Sequence, residues 1–422
     1  MINIEKLLNE SAVAEWKINA TRTESYELFF VHSALETVRA TDTDAVTVTV
    51  YENHDGKKGQ ASFKLYASTT EEEAREKIRS AKAKAALISN EYYNLPCAET
   101  LDGVIESNFS DYEPKALAAE MAKAVFSADT LGMGSVNALE VFINKHTVSV
   151  KNSLGVDKRA VKYSAMIEAI PTWNEGESVE LYEAIRTSEF DFDAIKNEIE
   201  EKMREVRDRG IAKAPQNKLS CPVVLPAEEL STLFGELAYT LGYASVYTKQ
   251  NPFSEGDPIQ KAPTGDKITL TMKGQLKGST SSALFDGDGT TLKDAKIIED
   301  GVAVAYFGGD RFAQYLGKRA TGDLACYEVE CGTLSDGELN SAPYFECVSM
   351  SGLQLDIYND YIGGEVRLAY YFDGEKKIPV TGISISGKLS DALNSIRLSN
   401  KATQSGRYKG PKLAKFDGIE IV

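Results

Sequence analysis

Glycine is distributed unevenly along this chain, and that distribution limits the fold more than any other feature of the sequence. Of the 32 glycines, 8 lie in residues 1–215 and 24 lie in residues 216–422. Because glycine permits tight turns but weakens helix and strand interiors, the second half must consist of short elements separated by turns. A chain of 422 residues can hold two or three domains. We therefore expect two unlike domains, 1–212 and 218–422.

Three segments of the first half have the periodicity of amphipathic helices. Residues 70–89 place alanine and isoleucine on one stripe and begin with a capping box made by Thr70 and Glu73. Residues 114–128 begin with proline, which suits the first turn of a helix. Residues 191–208 repeat apolar side chains at spacings of 3 and 4. Helices are predicted for all three.

Strand signals lie between these helices. Residues 46–51 and 60–66 predict a hairpin, because a turn-rich segment joins two β-like runs. Residues 139–143 and 146–150 alternate apolar and polar side chains, and a tight turn is predicted at residues 144–145. The first half is thus predicted as an α+β domain in which helices pack on antiparallel sheets.

The second half opens with a strand at residues 222–225 and a helix at residues 227–241. Beyond that helix, short β-like runs alternate with glycine turns. This alternation of short strands and turns predicts a mostly antiparallel β domain with one helix near its start. The fold class expected for the whole chain is α+β.

Charge and cysteine content disfavour several classes of function. The sum of 47 Lys and Arg against 63 Asp and Glu gives a net charge of −16, which disfavours binding to nucleic acid. No apolar stretch approaches the roughly 18 residues that a membrane span requires, so we expect neither a span nor a signal peptide. Five widely spread cysteines indicate reduced thiols and a cytoplasmic location.

Histidine is scarce. The chain contains His32, His54 and His146, and none follows residue 146. A zinc peptidase helix needs two histidines about one turn apart with a glutamate beside them, so that both imidazoles reach one metal ion. We interpret these three histidines as surface or structural residues, and no metal site is expected in this chain.

Two other groups of polar residues are interpreted as structural. Cys326, Cys331 and Cys347 fit no zinc-ribbon or redox spacing, so we expect buried, inert thiols. Residues 286–289 resemble the start of a calcium loop, but Ile297 stands where the bidentate carboxylate belongs. A polar turn is predicted there.

Several short strings together resemble one protein family. None is specific alone, but their order and spacing are. They are Glu36-Thr37-Val38-Arg39, residues 46–59, residues 150–156, Arg311-Phe312-Ala313-Gln314-Tyr315-Leu316-Gly317, residues 363–370 and residues 385–389. Along nearly its whole length the chain resembles the TldD/PmbA family, whose members are named both as metalloproteases and as modulators of DNA gyrase.

The resemblance implies a peptidase dimer of related subunits, one of which carries His-Glu-x-x-x-His and holds zinc. A PmbA-like or TldE-like partner lacks that motif. In this chain the matching positions are Gly235, Glu236 and Thr240, of which only the glutamate is retained. The resemblance therefore implies a chain that is not catalytic alone, with zinc in a partner subunit. Activity as a peptidase is expected only at the level of the complex.

Three hypotheses follow. The first is a metal-free subunit of a cytoplasmic peptidase dimer, formed with a TldD-like relative or with itself, acting on peptides. The second is a self-associating protein that holds extended peptides by strand addition and cuts nothing. The third, a nucleophile at Cys347, needs a histidine within hydrogen-bond reach.

Four polar residues are candidates for a cleft or interface: Arg311, Gln314, Tyr315 and Arg367. The alternative for the first three is an ordinary helical turn in which the polar side chains are solvated.

Overall fold

The computed structural model describes residues 2–176 and 178–422. One large sheet is formed by strands that precede residue 188. They are β1 Glu15–Val31, β2 Ala34–His54, β3 Lys57–Leu65, β4 Asn90–Glu91, β5 Glu99–Val104, β6 Gly134–Asn152, β7 Val156–Trp173, β8 Val179–Glu180 and β9 Glu183–Thr187. Their order is β4-β3-β2-β1-β6-β7-β5, with β8 and β9 also paired to β7. Pairing is antiparallel except between β5 and β7.

The three predicted helices are confirmed. The helices of this half are α1 Ile4–Glu10, α2 Glu71–Ala85, α3 Pro114–Ser127 and α4 Phe192–Ile211, with a 3-10 turn at Asn108–Asp111. Both hydrogen bonds of the predicted capping box, between Thr70 and Glu73, are present at the start of α2. That helix ends four residues before the predicted position 89, where its last carbonyls approach strand β3.

All four helices cover one face of the sheet. Helices α1 and α2 pack on β1 to β3, and α3 and α4 pack on β1, β6 and β7. Because side chains alternate along a strand, every second residue of β1, β6 and β7 points to the opposite face. That face carries mostly polar side chains, and we call it the polar sheet face. It lies toward the second half of the chain.

The tight turn predicted at residues 144–145 is wrong. Strand β6 runs through it without interruption, pairing Asn144 with Ser25 of β1 and Ser164 of β7. Both edges of β6 are hydrogen-bonded, so the polar pair has no need to turn. The predicted hairpin of β2 and β3 is confirmed, with Asp55 and Gly56 at positive φ in its turn, although β2 begins twelve residues earlier than predicted.

The second half holds shorter elements. Its strands are β10 Val223–Pro226, β11 Leu270–Lys273, β12 Ala295–Glu299, β13 Val302–Ala303, β14 Cys326–Val329, β15 Tyr344–Met350, β16 Gln354–Asp356, β17 Tyr361–Phe372, β18 Lys377–Val380, β19 Ile383–Lys388, β20 Arg397–Leu398, β21 Ala402–Ser405, β22 Tyr408–Pro411, β23 Leu413–Phe416 and β24 Ile419–Ile421. Its helices are α5 Ala227–Thr240, α6 Tyr243–Tyr247, α7 Asp310–Tyr315, α8 Asp336–Leu339 and α9 Leu389–Ser395.

These strands form two mostly antiparallel sheets around α5. The larger has the order β20-β23-β10-β15-β17-β19-β24 and the smaller the order β13-β12-β11-β14-β22-β21. Leu230, Leu233, Phe234 and Leu237 of α5 are buried in the largest apolar core. The predicted fold class, α+β with a strand-rich second domain that begins with a helix, is confirmed.

The boundary expected between residues 212 and 218 stays a prediction. Strands of the first sheet all precede it and strands of the other two all follow it. Helix α4 also contacts β17 and β18, so the two halves pack against each other. Among the described residues, no helix combines the length and the apolar composition that crossing a membrane would require.

Gly59 of β3 allows the end of α2 to approach the sheet. A β-carbon at this position would lie 1.8 Å from the carbonyl oxygen of Ala85. We expect Gly59→Ala to lower the free energy of unfolding by about 1–3 kcal/mol, because α2 must move off the strand. The control is Gly132→Ala, where a β-carbon meets no atom within 4 Å. Urea unfolding measures both, and equal stability of the two variants would contradict the close approach.

Candidate functional site

Helix α5 carries the three motif positions implied by the family resemblance, but they do not form a ligand set. Glu236 is exposed, while the Thr240 hydroxyl is buried and donates to the carbonyl of Leu237 at 2.8 Å. A β-carbon on Gly235 would lie 3.2 Å from Oη of Tyr327 and 3.6 Å from a guanidinium nitrogen of Arg407. The space that a longer side chain would need at position 235 is therefore already filled.

The donor set does not fit zinc. His32 lies in the turn between β1 and β2, His54 is the last residue of β2, and His146 lies within β6. Within residues 2–176 and 178–422, no three His, Cys, Asp or Glu side chains come together to hold a metal ion.

A tyrosine fixes the surroundings of Gly235. Tyr327 Oη donates to the Ser231 carbonyl at 2.5 Å and lies 2.9 Å from the Ser231 hydroxyl. The guanidinium of Arg407 lies 6.0 Å from the centre of the Tyr327 ring. Burial raises the pKa of the Tyr327 phenol, so this group stays a neutral hydrogen-bond donor.

Next to Tyr327, a buried thiol lies near the contact between the second half and the polar sheet face. Cys326 Sγ lies 3.5 Å from the hydroxyl of Ser279. Across the contact, the ammonium of Lys162 on β7 donates to the carbonyls of Thr280 at 2.9 Å and Ser282 at 3.4 Å. Burial raises the pKa of the Cys326 thiol and lowers the pKa of Lys162. Ser279, Cys326 and Lys162 therefore lie at one contact between the two halves.

Beside Lys162, the polar sheet face carries a row of hydrogen-bonded side chains that crosses three strands. One imidazole nitrogen of His146 lies 3.0 Å from the Thr23 hydroxyl, and the other lies 2.9 Å from the Ser164 hydroxyl. Burial, and then the charge of Lys162, lower the pKa of His146. The imidazole is therefore held neutral by its surroundings. Each hydroxyl comes from a neighbouring strand, so the row follows from the strand register.

Three of the four cleft candidates join the two halves. The Gln314 side chain accepts from the Asn94 amide and donates to the Asn94 carbonyl, both at 2.9 Å. Tyr315 Oη donates to the Glu91 carbonyl at 2.6 Å, and Arg311 lies 5.3 Å from the centre of the Tyr93 ring. Residues 310–315 do form a helical turn, α7, but Gln314 and Tyr315 are not simply solvated. Their hydrogen bonds hold α7 against the end of the first sheet.

Arg367 is not part of this group. It is exposed on β17 and lies near Arg209 of α4. The pKa of Arg209 is lowered by burial and further by the charge of Arg367.

The cysteines follow the sequence interpretation in part. All five are free thiols, and Cys326 and Cys347 are buried. Cys331 is exposed, so its predicted burial is wrong; it lies just past the end of β14, where the chain leaves the core. Burial raises the pKa of Cys347, with further contributions from Glu229 and Glu346. Carboxylates, not an imidazole, surround this thiol, which disfavours a nucleophile there.

Residues 284–291 dock on the polar sheet face, a contact that the sequence does not predict. The predicted turn forms because Asp286 Oδ1 accepts from the amides of Asp288 and Thr290, both at 2.9 Å. We call residues 284–291 the aspartate loop. Its Thr291 hydroxyl accepts from the fully buried ammonium of Lys158 at 2.6 Å. Asn19 donates to the carbonyl of Gly287 at 2.8 Å.

The geometry thus defines a two-part α+β protein in which a strand-rich half covers part of a polar sheet face. Residues 217–422 match the family described as the PmbA/TldA metallopeptidase C-terminal domain. Residues 217–422 therefore form a domain of the TldD/PmbA family, as the sequence resemblance predicts. No curated protein sequence matches it.

Solved structures share the fold along the whole chain. The chain is similar to TldE from Thermococcus kodakarensis, with 16% identity, a TM-score of 0.81 and 99% of both chains covered. It is also similar to a proposed DNA gyrase modulator from Thermotoga maritima, with 16% identity, a TM-score of 0.76 and 99% of both covered. A third similar structure is a proposed DNA gyrase modulator from Bacteroides thetaiotaomicron. It has 15% identity and a TM-score of 0.77, and the match covers 99% of this chain and 97% of that one. At these identities the likeness establishes the fold.

Replacing Gln314 tests the contact between the halves. Gln314→Ala removes both hydrogen bonds to the Asn94 backbone, each contributing about 1 kcal/mol. We expect amide hydrogen exchange at Asn94 to become about fivefold faster from loss of the bond to its own amide, and up to about thirtyfold faster if both bonds hold the segment closed. The control is Gln354→Ala, a change at an exposed glutamine of β16. Unchanged exchange in the Gln314 variant would show that this bonding does not hold the halves together.

Glu229 of α5 makes the stability of the fold depend on pH. It is 8% exposed, and burial, followed by the charge of Glu228, raises its pKa from 4.5 to about 7. Between these values the folded chain keeps a proton that the unfolded chain releases, so stability falls as the pH rises. We expect Glu229→Gln to raise the free energy of unfolding at pH 8 by up to about 3 kcal/mol and to change it little at pH 4.

Urea unfolding at the two pH values measures this effect. Glu236→Gln, at the exposed glutamate of the same helix, should change stability by less than about 0.5 kcal/mol at both. An equal gain for Glu229→Gln at pH 4 and pH 8 would contradict the raised pKa.

Proposed function

We propose that this chain is the non-zinc-binding, PmbA-like or TldE-like subunit of a TldD/PmbA-type metallopeptidase dimer that acts on peptides or unfolded segments. The proposal rests on which residues occupy the motif positions of α5. Gly235 and Thr240 stand where the resemblance places zinc ligands, and Tyr327 fills the space beside Gly235. Only Glu236 of the motif is retained.

Chemistry explains why the retained glutamate is not enough. A glutamate acts as general base in such peptidases by deprotonating a water that the metal has made acidic. Without two imidazoles beside it, Glu236 has no such water to deprotonate. Cleavage would therefore occur in the zinc-bearing subunit, and this chain would supply binding surface.

The polar sheet face supports a role in holding peptide. It presents hydroxyl and imidazole groups in a row, at Thr23, His146 and Ser164, that can bond to the backbone of an extended chain. Lys162 and Arg407 add positive charge at the end covered by the second half, and neither has a carboxylate within ion-pair distance among the described residues. Such charges would orient a peptide rather than select its whole sequence.

The proposal places the dimer in the cytoplasm, because five free thiols suit a reducing compartment. Two of the similar structures are named as modulators of DNA gyrase. The charge of this chain does not support such a role, since a net charge of −16 repels nucleic acid.

A second candidate is a self-associating peptide-binding protein without catalytic activity. One observation favours it. Strand β3 pairs only with residues 46–54 of β2, which leaves residues 34–45 without a neighbour on their outer side in the described structure. Leu35 and Val38 of this free edge are 51% and 49% exposed. An exposed strand edge can add a strand from another chain.

Reconstitution tests the first candidate. The isolated chain should contain no stoichiometric zinc by elemental analysis and should not degrade an unfolded protein. Adding the relative with His-Glu-x-x-x-His from the same cell should produce cleavage, which a variant of that relative without its two motif histidines should not. In this chain, Glu236→Gln should leave the reconstituted rate within about twofold, since an exposed carboxylate without metal contributes no general base.

Two results would contradict the proposal. One is chelator-sensitive cleavage by this chain alone. The other is a stable homodimer by analytical ultracentrifugation that gains no activity with any relative, and this result would favour the self-associating protein.

A further inference from the structure

A half-open cavity of about 200 Å³ lies between the polar sheet face and the aspartate loop. Its walls are mainly apolar and include Val148, Ala160, Leu284 and Phe285. Small-molecule sites in proteins typically begin at about 300 Å³. The cavity is therefore suited to a single side chain rather than to a whole cofactor.

One wall of the cavity carries a cation without a counter-charge. Lys162 lines it, and its ammonium donates only to the backbone carbonyls of Thr280 and Ser282. Among the described residues, no carboxylate lies within 4.0 Å of this ammonium, whereas the fully buried lysines Lys58 and Lys158 are paired with Glu15 and Glu99. A half-buried ammonium without an anion is an unfavourable arrangement that an incoming carboxylate would improve.

The other polar groups on the walls leave room for that carboxylate. Asp286 lines the cavity, but one of its oxygens accepts from the amides of Asp288 and Thr290 in its own loop and the other accepts from the amide of Asp323, so both are already engaged. The Thr21 hydroxyl lies on the same face as Lys162 and makes no side-chain hydrogen bond within the described residues. It can serve as a second donor.

We propose that this cavity is a subsite for one acidic side chain of an extended peptide, with Lys162 binding its carboxylate and the apolar walls covering its methylene groups. The inference rests on the proposed role in peptide handling and adds a preference for glutamate or aspartate at one position. Charge-assisted hydrogen bonds from an ammonium to a carboxylate are about twice as strong as neutral ones, which provides the selectivity.

Paired peptides test the proposal directly on the full chain. The probes are two fluorescent, end-blocked, unstructured peptides of alanine and serine that differ only in a central Glu or Gln. We expect the Glu peptide to bind about tenfold more tightly than the Gln peptide. The preference should disappear in Lys162→Gln and persist in Lys162→Arg. The control is Lys145→Gln, which removes an exposed lysine of β6 that lies near Glu24.

A second measurement separates binding from a purely structural role. Burial, and then the charge of Lys162, lower the pKa of His146, so a carboxylate bound at Lys162 should raise the pKa of that imidazole by offsetting the second cause. The chain has three histidines, and their titration by NMR can be followed with and without the Glu peptide. A lysine that only holds residues 280–282 in place would leave the His146 titration unchanged.

Equal affinity for the two peptides, or no binding of either, would overturn the subsite. Should Lys162→Gln fail to fold, the comparison of Glu and Gln peptides on the native chain and on Lys162→Arg remains decisive. Reconstituted peptidase activity does not depend on this preference, so a failed subsite with successful reconstitution would leave the proposed function standing.

Discussion

The structure depends on the docking of the aspartate loop on the first sheet. The ammonium of Lys158 is fully buried in this contact and would be strongly unfavourable without its partners. Glu99 of β5 and Thr291 of the aspartate loop supply those partners, at 2.7 Å and 2.6 Å, and the Thr291 hydroxyl also donates to Glu99 at 2.7 Å. Because one partner comes from each half of the chain, the buried charge is satisfied only when the two halves are in register. The cavity between the polar sheet face and the aspartate loop takes its position from this contact.

Local sequence signals were sufficient for the helices. Capping residues and apolar spacing act within one or two turns, so α2, α3 and α4 could be located from their own sequences. Strand length could not be found in this way. Asn144 and Lys145 of β6 have the composition of a turn, and they remain extended because β1 and β7 satisfy their backbone groups from far along the chain.

The same distinction applies to the candidate site. The absence of histidine after residue 146, and Glu236 at the motif position that the resemblance implies, could be found by inspection of the sequence, because they concern residue types alone. Lys162 could not, since the carbonyls that hold it lie about 120 residues later. The alternation of threonine and serine along β1 was the one local signal for the polar sheet face, and it was too weak to identify the strand that carries Lys162.

Tyr327 has a consequence for how sequence change can act on helix α5. Its phenol is anchored to Ser231 and occupies the volume beside Gly235. An imidazole introduced at position 235 would compete with that ring for the same space, whereas removal of the ring alone would open a void in the core. Either change alone is thus unfavourable, whereas a change at position 235 that is combined with a smaller side chain at position 327 avoids both penalties. Packing therefore imposes a mutational barrier on any replacement of the glycine at position 235.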